Sequence, residues 1–363
     1  NNMNVLSLFN GMSFGKMALE SLDIKVTNYY SSEIDKYANQ ATQALFPDTI
    51  QLGDVTQWRD WNIDWASIDL VTGGFPCQAW SMAGKQLGDK DERGMLFWTM
   101  LDIMKHIQSV NPKVNFMIEN VKMKKEFEEY ITNHTENALG EVYKILINSA
   151  LVSAQNRNRY YWTSFEVEQP EDKGITWGDV RECGVDGFYY TEKGLQWLAR
   201  HSQRKGKQLS VWGDSEKAQM VEASHYKNYS AQRFFGVCDV PSDTSMIASM
   251  RGRRINKEGR RDDYNENIKP EQYIEFKYDK KSNCISTVQK DNVVVPFTLP
   301  NRVPVDVFFF RYITPRECFR LQTVPEHHID TLLNAGISNT QLYKMCGNGW
   351  TMDVIAHIFK GLK

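Results

Sequence analysis

The stretch Asn4-Val5-Leu6-Ser7-Leu8-Phe9-Asn10-Gly11-Met12-Ser13-Phe14-Gly15 combines a short apolar run, a glycine-bearing turn and the approach to a helical stretch near residues 16–22. The pattern recurs: apolar runs at 26–31, 68–72, 114–119 and 142–148 are interleaved with helical stretches at 36–45 and 96–110. Short apolar strands alternating with helices are typical of a doubly wound, mostly parallel α/β sheet. We predict this fold for residues 1–165.

A second, smaller, mostly β domain is predicted at about residues 166–324, where the alternation gives way to sequence rich in glycine, charge and aromatic residues. Strand-like pieces occur there at 273–278 and 284–288. Regular structure returns where Thr314 can cap a helix that has Pro315 at its first position. A helical spacing over 351–360 completes the chain, and we assign residues 325–363 to the first domain.

Composition excludes several classes of protein. The chain has 363 residues, a net charge of −2 and six scattered cysteines without a CxxC pair or zinc spacing. Neither a disulfide framework nor a metal site is indicated. No segment approaches the ~20 apolar residues of a membrane helix, and the amino terminus lacks the layout of a signal peptide. We therefore expect a cytoplasmic protein that does not bind membranes.

Polar and glycine residues follow the predicted strands at their carboxyl ends, where doubly wound sheets bind ligands. These residues are Gly11, Gly15, Glu33, Asp54, Cys77 and Glu119. Glu33, after the second strand, is placed to bind ribose hydroxyls, and Asp54 could accept a hydrogen bond from an adenine amino group. The series favours an adenosine-containing cofactor over an interpretation as solvated loop carboxylates.

Cys77 stands where a nucleophile would sit, in Gly73-Gly74-Phe75-Pro76-Cys77-Gln78 after a buried strand. Two glycines permit a sharp turn, and Pro76 fixes its own φ and disfavours helix at Phe75. A small buried structural cysteine is the alternative.

An ordered set of motifs along the chain resembles the motifs of the DNA (cytosine-5) methyltransferases of the compact prokaryotic or phage type. The motifs are Phe9-Asn10-Gly11, Glu33, Gly53-Asp54-Val55, Gly74-Phe75-Pro76-Cys77-Gln78, Glu119-Asn120-Val121, Gln155-Asn156-Arg157-Asn158-Arg159, Thr314-Pro315-Arg316-Glu317-Cys318-Phe319-Arg320-Leu321-Gln322 and Gly347-Asn348. Residues 166–306 lie outside them, where that family carries its variable target-recognition region. The resemblance implies a class I, Rossmann-like fold and S-adenosyl-L-methionine as methyl donor.

The resemblance also implies roles for individual residues. Cys77 would add to carbon 6 of a flipped-out cytosine, Glu119 would share a proton with ring nitrogen 3, Arg159 would bind the carbonyl oxygen, and Arg157 would hold the site together. Gln78 completes the catalytic set. The residues expected at the cofactor are Phe9, Gly11, Met12, Ser13, Gly15, Glu33, Ile34, Asp54, Val55, Phe75 and Asn348.

Double-stranded DNA is the expected partner, although the net charge requires local patches to bind it. In the glycine-rich segment 81–94, the candidate contacts are Ser81, Lys85 and Arg93. In the second domain, a basic patch offers Arg251, Arg253, Arg254 and Arg260. Its alternative is an inert solvated surface.

Two residues depart from the family pattern, namely Ser13 in place of a glycine and Trp350 in place of a small aliphatic residue. Both are expected near the cofactor, although core filling is the commoner role for a large aromatic residue. Three other functions stay open from the sequence: an RNA cytosine-5 methyltransferase, a catalytically silent DNA-binding homologue, and a thiol hydrolase, which would need a histidine base. A monomer is expected, and a partner restriction endonuclease is a further hypothesis.

Overall fold

The structure is a computed structural model and describes residues 2–76, 94–182, 185, 187–188, 209–211, 215, 217–221, 223, 234–238, 246–262, 264–277, 293–295, 310–311 and 313–362. The chain divides into two compact units. The first comprises Asn1–Thr176, Lys217–Tyr226 and Cys318–Lys363, and the second comprises Trp177–Glu216 and Lys227–Glu317.

The first unit is built on a seven-stranded sheet of order β3-β2-β1-β4-β5-β8-β6. Its strands are β1 (Asn2–Leu8), β2 (Lys25–Ser32), β3 (Ile50–Gln51), β4 (Leu70–Gly73), β5 (Asn115–Val121), β6 (Tyr143–Asn148) and β8 (Asn158–Thr163), and a short β7 (Gln155–Asn156) pairs with β10 (Ala218–Gln219) outside the sheet. Strands β1 to β5 pair in parallel, whereas β8 runs antiparallel between β5 and β6. The predicted doubly wound, mostly parallel sheet is therefore confirmed.

Helices connect the strands and cover the sheet. They are α1 (Phe14–Ser21), α2 (Lys36–Leu45), α3 (Leu96–Val110) and α4 (Lys125–Leu139), with α7 (Glu326–Leu333), α8 (Asn339–Asn348) and α9 (Met352–Phe359) near the carboxyl terminus. The central strand β4 is buried along its whole length, as expected for a parallel strand with helices on both faces. Helix α9 packs against α1, so the carboxyl terminus completes the first unit.

In the described part of the second unit, β12 (Met246–Arg253) pairs antiparallel with β13 (Glu271–Lys277) and β14 (Val293–Val295). A second small sheet joins β9 (Leu209–Val211), β11 (Phe234–Cys238) and β15 (Phe310–Arg311). One turn of helix, α5 (Trp177–Val180), begins this unit. The strand predicted at 273–278 matches β13, while the piece at 284–288 lies outside the described residues.

Helix α6 (Pro315–Leu321) begins with the predicted cap. The Thr314 hydroxyl accepts from the Glu317 N–H at 3.1 Å, and the Glu317 carboxylate accepts from the Thr314 N–H at 2.8 Å. This reciprocal pair is a capping box, which satisfies two amide groups at the helix start. No helix in the described part of the chain has the length and apolar character that crossing a membrane requires.

The contact between α1 and the end of α8 leaves no room for a side chain at Gly349. A Cβ there would lie 2.0 Å from Cε2 of Phe14, a buried side chain. We predict that Gly349→Ala lowers the free energy of unfolding by about 1–3 kcal/mol through overpacking. Gly15→Ala is the control, because its Cβ would meet its nearest atom, Oη of Tyr29, at an ordinary 3.5 Å.

Alanine is the better helix former by about 0.5–1 kcal/mol, so Gly15→Ala should leave stability unchanged or raise it. Urea unfolding of the two variants, followed by circular dichroism, checks both expectations. Equal stabilities would show that Phe14 moves aside at little cost.

Candidate active site

A cavity of about 300 Å³ lies at the carboxyl ends of β1, β2, β4 and β5. The chain leaves β1 for β2 and β3 and then returns to the other side of β1 as β4, so the topological switch point lies here. The lining residues are Phe9, Gly11, Ser32, Glu33, Ile34, Gly53, Asp54, Val55, Gly74, Phe75, Pro76, Leu96, Glu119, Asn120, Val121, Arg157, Arg159, Gly347, Asn348 and Gly349. The cavity therefore holds eight of the eleven residues expected at the cofactor together with three of the expected catalytic residues.

Glu33 is held by three backbone N–H groups. Its Oε1 accepts from Gly11 at 2.7 Å, and its Oε2 accepts from Ile34 at 2.9 Å and from Asp35 at 3.0 Å. These bonds join the turn after β1 to the turn after β2. A carboxylate fixed in this way presents its remaining lone pairs to the cavity as acceptors for hydroxyl groups.

Asp54 and Ile34 form a polar and an apolar part of the same wall. Oδ1 of Asp54 caps a short 3₁₀ turn through Thr56, whereas its Oδ2 has no hydrogen-bond partner among the described residues. Ile34 is 76% exposed, which is unusual for a large aliphatic side chain. This wall suits an aromatic ring that carries an amino group, because Ile34 offers apolar surface to the ring and Oδ2 of Asp54 offers an acceptor to the amino group.

Met12, Ser13 and Gly15 do not line the cavity, because the first turn directs them into the interior. Ser13 has φ of 71°, the left-handed region that glycine occupies without strain. Its hydroxyl is 2.9 Å from Nδ2 of Asn10 and 2.9 Å from Oγ1 of Thr42. These hydrogen bonds hold the serine where the family pattern has glycine, and they tie the turn to α2.

Glu119, near the end of β5, is 8% exposed and has partners on both carboxylate oxygens. Oε1 lies 3.2 Å from Nε of Arg159, and Oε2 accepts a hydrogen bond of 2.9 Å from the indole N–H of Trp350. Burial raises the pKa of the Glu119 carboxyl, whereas the charges of Arg159 and Arg157 and the indole hydrogen bond lower it. Burial is the largest influence, so the pKa lies above the ordinary value.

Arg157 is 3% exposed and donates to three backbone carbonyls. Nη1 binds the Val221 oxygen at 2.8 Å, and Nη2 binds the oxygens of Gly347 at 3.0 Å and Gly349 at 2.8 Å. Burial lowers the pKa of the guanidinium, and the negative charge of Glu119 opposes that shift. Arg157 thus joins the strand region to the loop that follows α8.

Asn120 fixes the backbone that leads to the predicted nucleophile. Its Nδ2 donates to the Phe75 carbonyl at 3.2 Å, and the Phe75 ring packs on Phe97 at 5.1 Å between centroids. Phe75 and Pro76 line the cavity, while Cys77 and Gln78 lie outside the described residues.

Comparison with known proteins agrees with this geometry. The profile of the family described as C-5 cytosine-specific DNA methylase matches residues 3–363. The chain belongs to this family. It is a DNA (cytosine-5) methyltransferase, and S-adenosyl-L-methionine is its methyl donor.

Three curated relatives are 28–34% identical to this methyltransferase over the regions that match. The orphan methyltransferase M.SPRI of Bacillus phage SPR is 28% identical over 99% of this chain and 97% of its own length. The type II methyltransferase M.HpaII of Haemophilus parainfluenzae is 32% identical over 55% of this chain and 59% of its own. The type II methyltransferase M.HhaI of Haemophilus parahaemolyticus is 34% identical over 45% of this chain and 49% of its own length.

Solved structures share the fold at low sequence identity. A Spodoptera frugiperda DNMT2 variant has a TM-score of 0.61 with 18% identity, and each chain is covered to 99%. The Entamoeba histolytica methyltransferase EhMeth has a TM-score of 0.65 with 16% identity, covering 100% of this chain and 98% of its own.

The cavity of the methyltransferase also includes residues that the sequence analysis did not assign to the site. They are Ser32, Gly53, Gly74, Pro76, Leu96, Asn120, Val121, Gly347 and Gly349. Six of them, Gly53, Gly74, Pro76, Asn120, Val121 and Gly347, belong to motifs quoted above, so their place in a motif was the available signal. Trp350 was expected near the cofactor, yet its indole N–H contacts a predicted catalytic residue.

The predicted DNA-binding residues fall into three groups. Ser81, Lys85 and Arg93 lie outside the described residues, and Arg251 and Arg253 end the strand β12. The chain after β12 forms a turn in which Ile255 pairs with Arg261. Nε of Arg254 donates to the Ile268 carbonyl at 2.8 Å, whereas Arg260 is exposed.

The network around Arg157 predicts that lysine cannot replace it, because Arg157 reaches the Val221 carbonyl through one nitrogen and the Gly347 and Gly349 carbonyls through another, whereas the donors of an ammonium group all leave from a single nitrogen. We expect Arg157→Lys to lower the free energy of unfolding by about 2–3 kcal/mol, since charged hydrogen bonds are removed from the interior. Arg320→Lys is the control, because the Arg320 pair with Glu326 is partly exposed and should contribute less than about 1 kcal/mol. Urea unfolding compares the two, and equal decreases would contradict a special role of the buried network.

Proposed function

We propose that one cavity brings together the methyl donor and a cytosine flipped out of duplex DNA, with Cys77, Glu119 and Arg159 acting on the base. The observation that supports this assignment is that Glu33 and Asp54 line the same cavity as Glu119 and Arg159. Two sets of residues, which the motifs relate to cofactor and base, thus share one space.

Residues on the β1 to β3 side of the cavity fit S-adenosyl-L-methionine. Glu33, fixed by three N–H groups, would accept from the ribose hydroxyls, and Oδ2 of Asp54 would accept from the adenine amino group. Ile34 and Phe9 would supply apolar surface for the adenine ring. When bound, this cofactor supplies a methyl group on a positively charged sulfur, which leaves as a neutral thioether.

The base requires covalent activation because carbon 5 of cytosine is a poor nucleophile. The Cys77 thiolate would form a bond to carbon 6, and the electron pair of the broken ring double bond would then attack the methyl group from carbon 5. Loss of the carbon 5 proton to a base, which we expect to be an ordered water, returns electrons to the ring and expels the thiolate. A proton gained by nitrogen 3 during the addition is given up again when the thiolate leaves, so the products are 5-methylcytosine, the neutral thioether, one proton and the free Cys77 thiolate.

Glu119 would donate a proton to ring nitrogen 3 as thiolate addition places negative charge there. Burial raises the pKa of this carboxyl, which favours the protonated form that the step requires. Arg159, 3.2 Å from Glu119, would bind the carbonyl oxygen of the base, and Arg157 would maintain the surrounding backbone. Gln78, next to the nucleophile, is assigned to the same pocket.

A cytosine paired within a duplex cannot reach such a cavity, so the target base must be flipped out. We assign two segments to duplex contact. The first runs from Ser81 to Arg93, and the second is the turn between Ile255 and Arg261 in the second unit, called the basic turn. Phosphate contacts would supply affinity there, and base edges would supply specificity. Residues 166–324 would form the target-recognition domain, and residues 1–165 with 325–363 the catalytic domain.

A thiol hydrolase is the alternative that the site itself disfavours. That chemistry needs a histidine beside the nucleophile, and the cavity lining within the described residues includes none. The presence of Glu119, Arg157 and Arg159 in one cavity likewise favours an active enzyme over a silent DNA-binding homologue.

The assignment is tested by single-turnover methylation of unmethylated duplex DNA, with 5-methyldeoxycytidine measured by mass spectrometry after digestion. Cys77→Ala should give no product while duplex binding persists. Glu119→Gln should slow methyl transfer about 100-fold or more, the usual contribution of a positioned general acid, with unchanged cofactor affinity in calorimetry.

Glu128→Gln is the matched control, because Glu128 is also a buried glutamate but pairs with Lys144 outside the cavity. Product from Cys77→Ala at the normal rate would remove Cys77 from the mechanism. An unchanged rate in Glu119→Gln would remove the acid role. Methylation of RNA but not of duplex DNA would show that the substrate is RNA rather than duplex DNA.

The basic turn predicts a measurable salt dependence. Lys257 and Arg260 are exposed there, so replacing both with glutamine should remove up to two positive charges that neutralise phosphates. The slope of log K against log salt should then become shallower by about 0.9 for each phosphate that is no longer neutralised. The control is the double variant Lys25→Gln and Lys113→Gln. These exposed residues lie at the amino ends of strands, at the edge of the sheet opposite the cavity.

Fluorescence anisotropy with one duplex at several salt concentrations measures both slopes. If the Lys257 and Arg260 double variant keeps the wild-type slope, the turn is solvated surface rather than a site of DNA binding.

We further propose that the enzyme acts as a monomer and protects DNA from a partner restriction endonuclease. Several relatives are named type II methyltransferases, which supports the pairing, whereas the phage relative is named an orphan methyltransferase. Sedimentation of the protein with and without a duplex tests the first proposal. Resistance of plasmids from expressing cells to a panel of restriction enzymes tests the second.

A further inference from the structure

Trp350 lies behind the predicted catalytic carboxylate rather than in the cavity. Its indole N–H is 2.9 Å from Oε2 of Glu119, and the residue is not part of the cavity lining. Because Oε1 of Glu119 faces Arg159, the two oxygens are held by donors from two distant parts of the chain. A carboxyl group held at both oxygens cannot rotate about its terminal torsion.

The space for the indole is created by Gly74, and Gly15 borders the ring at an ordinary contact distance. A Cβ at Gly74 would lie 3.0 Å from Nε1 of Trp350 and 3.0 Å from Oε2 of Glu119. A Cβ at Gly15 would lie 3.6 Å from Cζ3 of the same ring. The turn after β4 thus leaves a slot in which the indole reaches Glu119.

The backbone that carries Trp350 is fixed on both sides. The carbonyls of Gly347 and Gly349 accept from Arg157, and the Thr351 hydroxyl donates to Oε1 of Gln322 at 2.9 Å. The Thr351 hydroxyl also lies 2.7 Å from that of Ser149. The backbone of Trp350 is therefore fixed, and this fixes the position from which the indole N–H reaches Glu119.

We propose that Trp350 is a positioning residue for Glu119: its indole N–H fixes Oε2, so that the carboxyl group meets nitrogen 3 of the flipped cytosine in one orientation. Trp350 does not touch the substrate and acts through Glu119. The inference rests on the proposed acid role of Glu119.

The contact also tunes the charge of the carboxyl group. An indole N–H only donates, so it stabilises the ionised form of Glu119 more than the protonated form. Among the described residues, the titratable and charged groups that face this carboxyl are Arg157, Arg159 and Tyr161, and the substitution Trp350→Phe alters the sequence at none of them. Removal of the N–H should therefore raise the pKa of Glu119.

The first test observes the contact without cofactor or DNA. In protein labelled with ¹⁵N at its ten tryptophans, the Trp350 indole resonance, assigned by its disappearance in Trp350→Phe, should move with pH. The midpoint should lie above the ordinary glutamate range, and the movement should vanish in Glu119→Gln. If none of the ten indole resonances moves with pH in the wild type and loses that movement in Glu119→Gln, the proposal is overturned, and this outcome does not require Trp350→Phe to fold.

The second test measures the pH profile of single-turnover methylation. Trp350→Phe keeps the ring and removes the N–H, so the fall in rate at high pH should move upward by about one pH unit. The maximum rate should fall about ten-fold because the acid is less well oriented. Trp162→Phe is the matched control, because that buried indole donates to Oγ1 of Thr132 at 2.9 Å, outside the cavity.

The Glu119→Gln background separates the two hypotheses. If Glu119→Gln alone leaves the rate unchanged, the proposed acid role fails. If Glu119→Gln abolishes the fall at high pH but Trp350→Phe does not shift it in the wild type, only the role of Trp350 fails. If Trp350→Phe behaves like Trp162→Phe, its contribution is to packing, and the proposal is overturned.

Discussion

The active site depends on the burial of one positive charge, that of Arg157. A guanidinium group in the protein interior is stable only where its N–H groups find acceptors, because the desolvation of an unpaired ion is very costly. Three backbone carbonyls supply these acceptors, one at Val221, one at Gly347 in the last turn of α8 and one at Gly349 in the loop that follows. The position of that loop therefore follows from a side chain more than 180 residues earlier in the chain.

The loop also contributes to the electrostatics at Glu119, through the hydrogen bond from Trp350. Burial alone would leave the carboxyl group strongly protonated, while two nearby guanidinium groups alone would leave it ionised. In the structure these effects oppose each other, and burial is the largest of them. A group in this balance can change its protonation state when a base with a developing charge enters the site. The same balance explains why a single neutral donor, the indole of Trp350, can influence the titration.

Much of the fold could be predicted from local pattern. The helices at 36–45 and 96–110 match α2 and α3, and the predicted apolar runs correspond to five strands of the sheet. Strand β8 has no such apolar run, because Arg159, Tyr160 and Tyr161 lie in a strand that is antiparallel between β5 and β6, and only the alternating spacing of Arg157 and Arg159 indicated a strand there. Glu33, Asp54 and Glu119 were predictable because the carboxyl ends of parallel strands meet at one edge. The contact from Trp350 to Glu119 was not, because it spans 231 residues and leaves no periodic trace.

The two departures from the family pattern have physical explanations of different kinds. Ser13 takes a left-handed backbone conformation that glycine adopts without strain, and hydrogen bonds to Asn10 and Thr42 offset the cost locally. Trp350 needs space instead, and the missing side chain of Gly74 provides it beside Glu119. The first substitution is compensated by Asn10 of the same turn and by Thr42 of α2. The second requires three chain segments to agree, and the result is a donor aimed at the carboxylate rather than a ring that only fills volume.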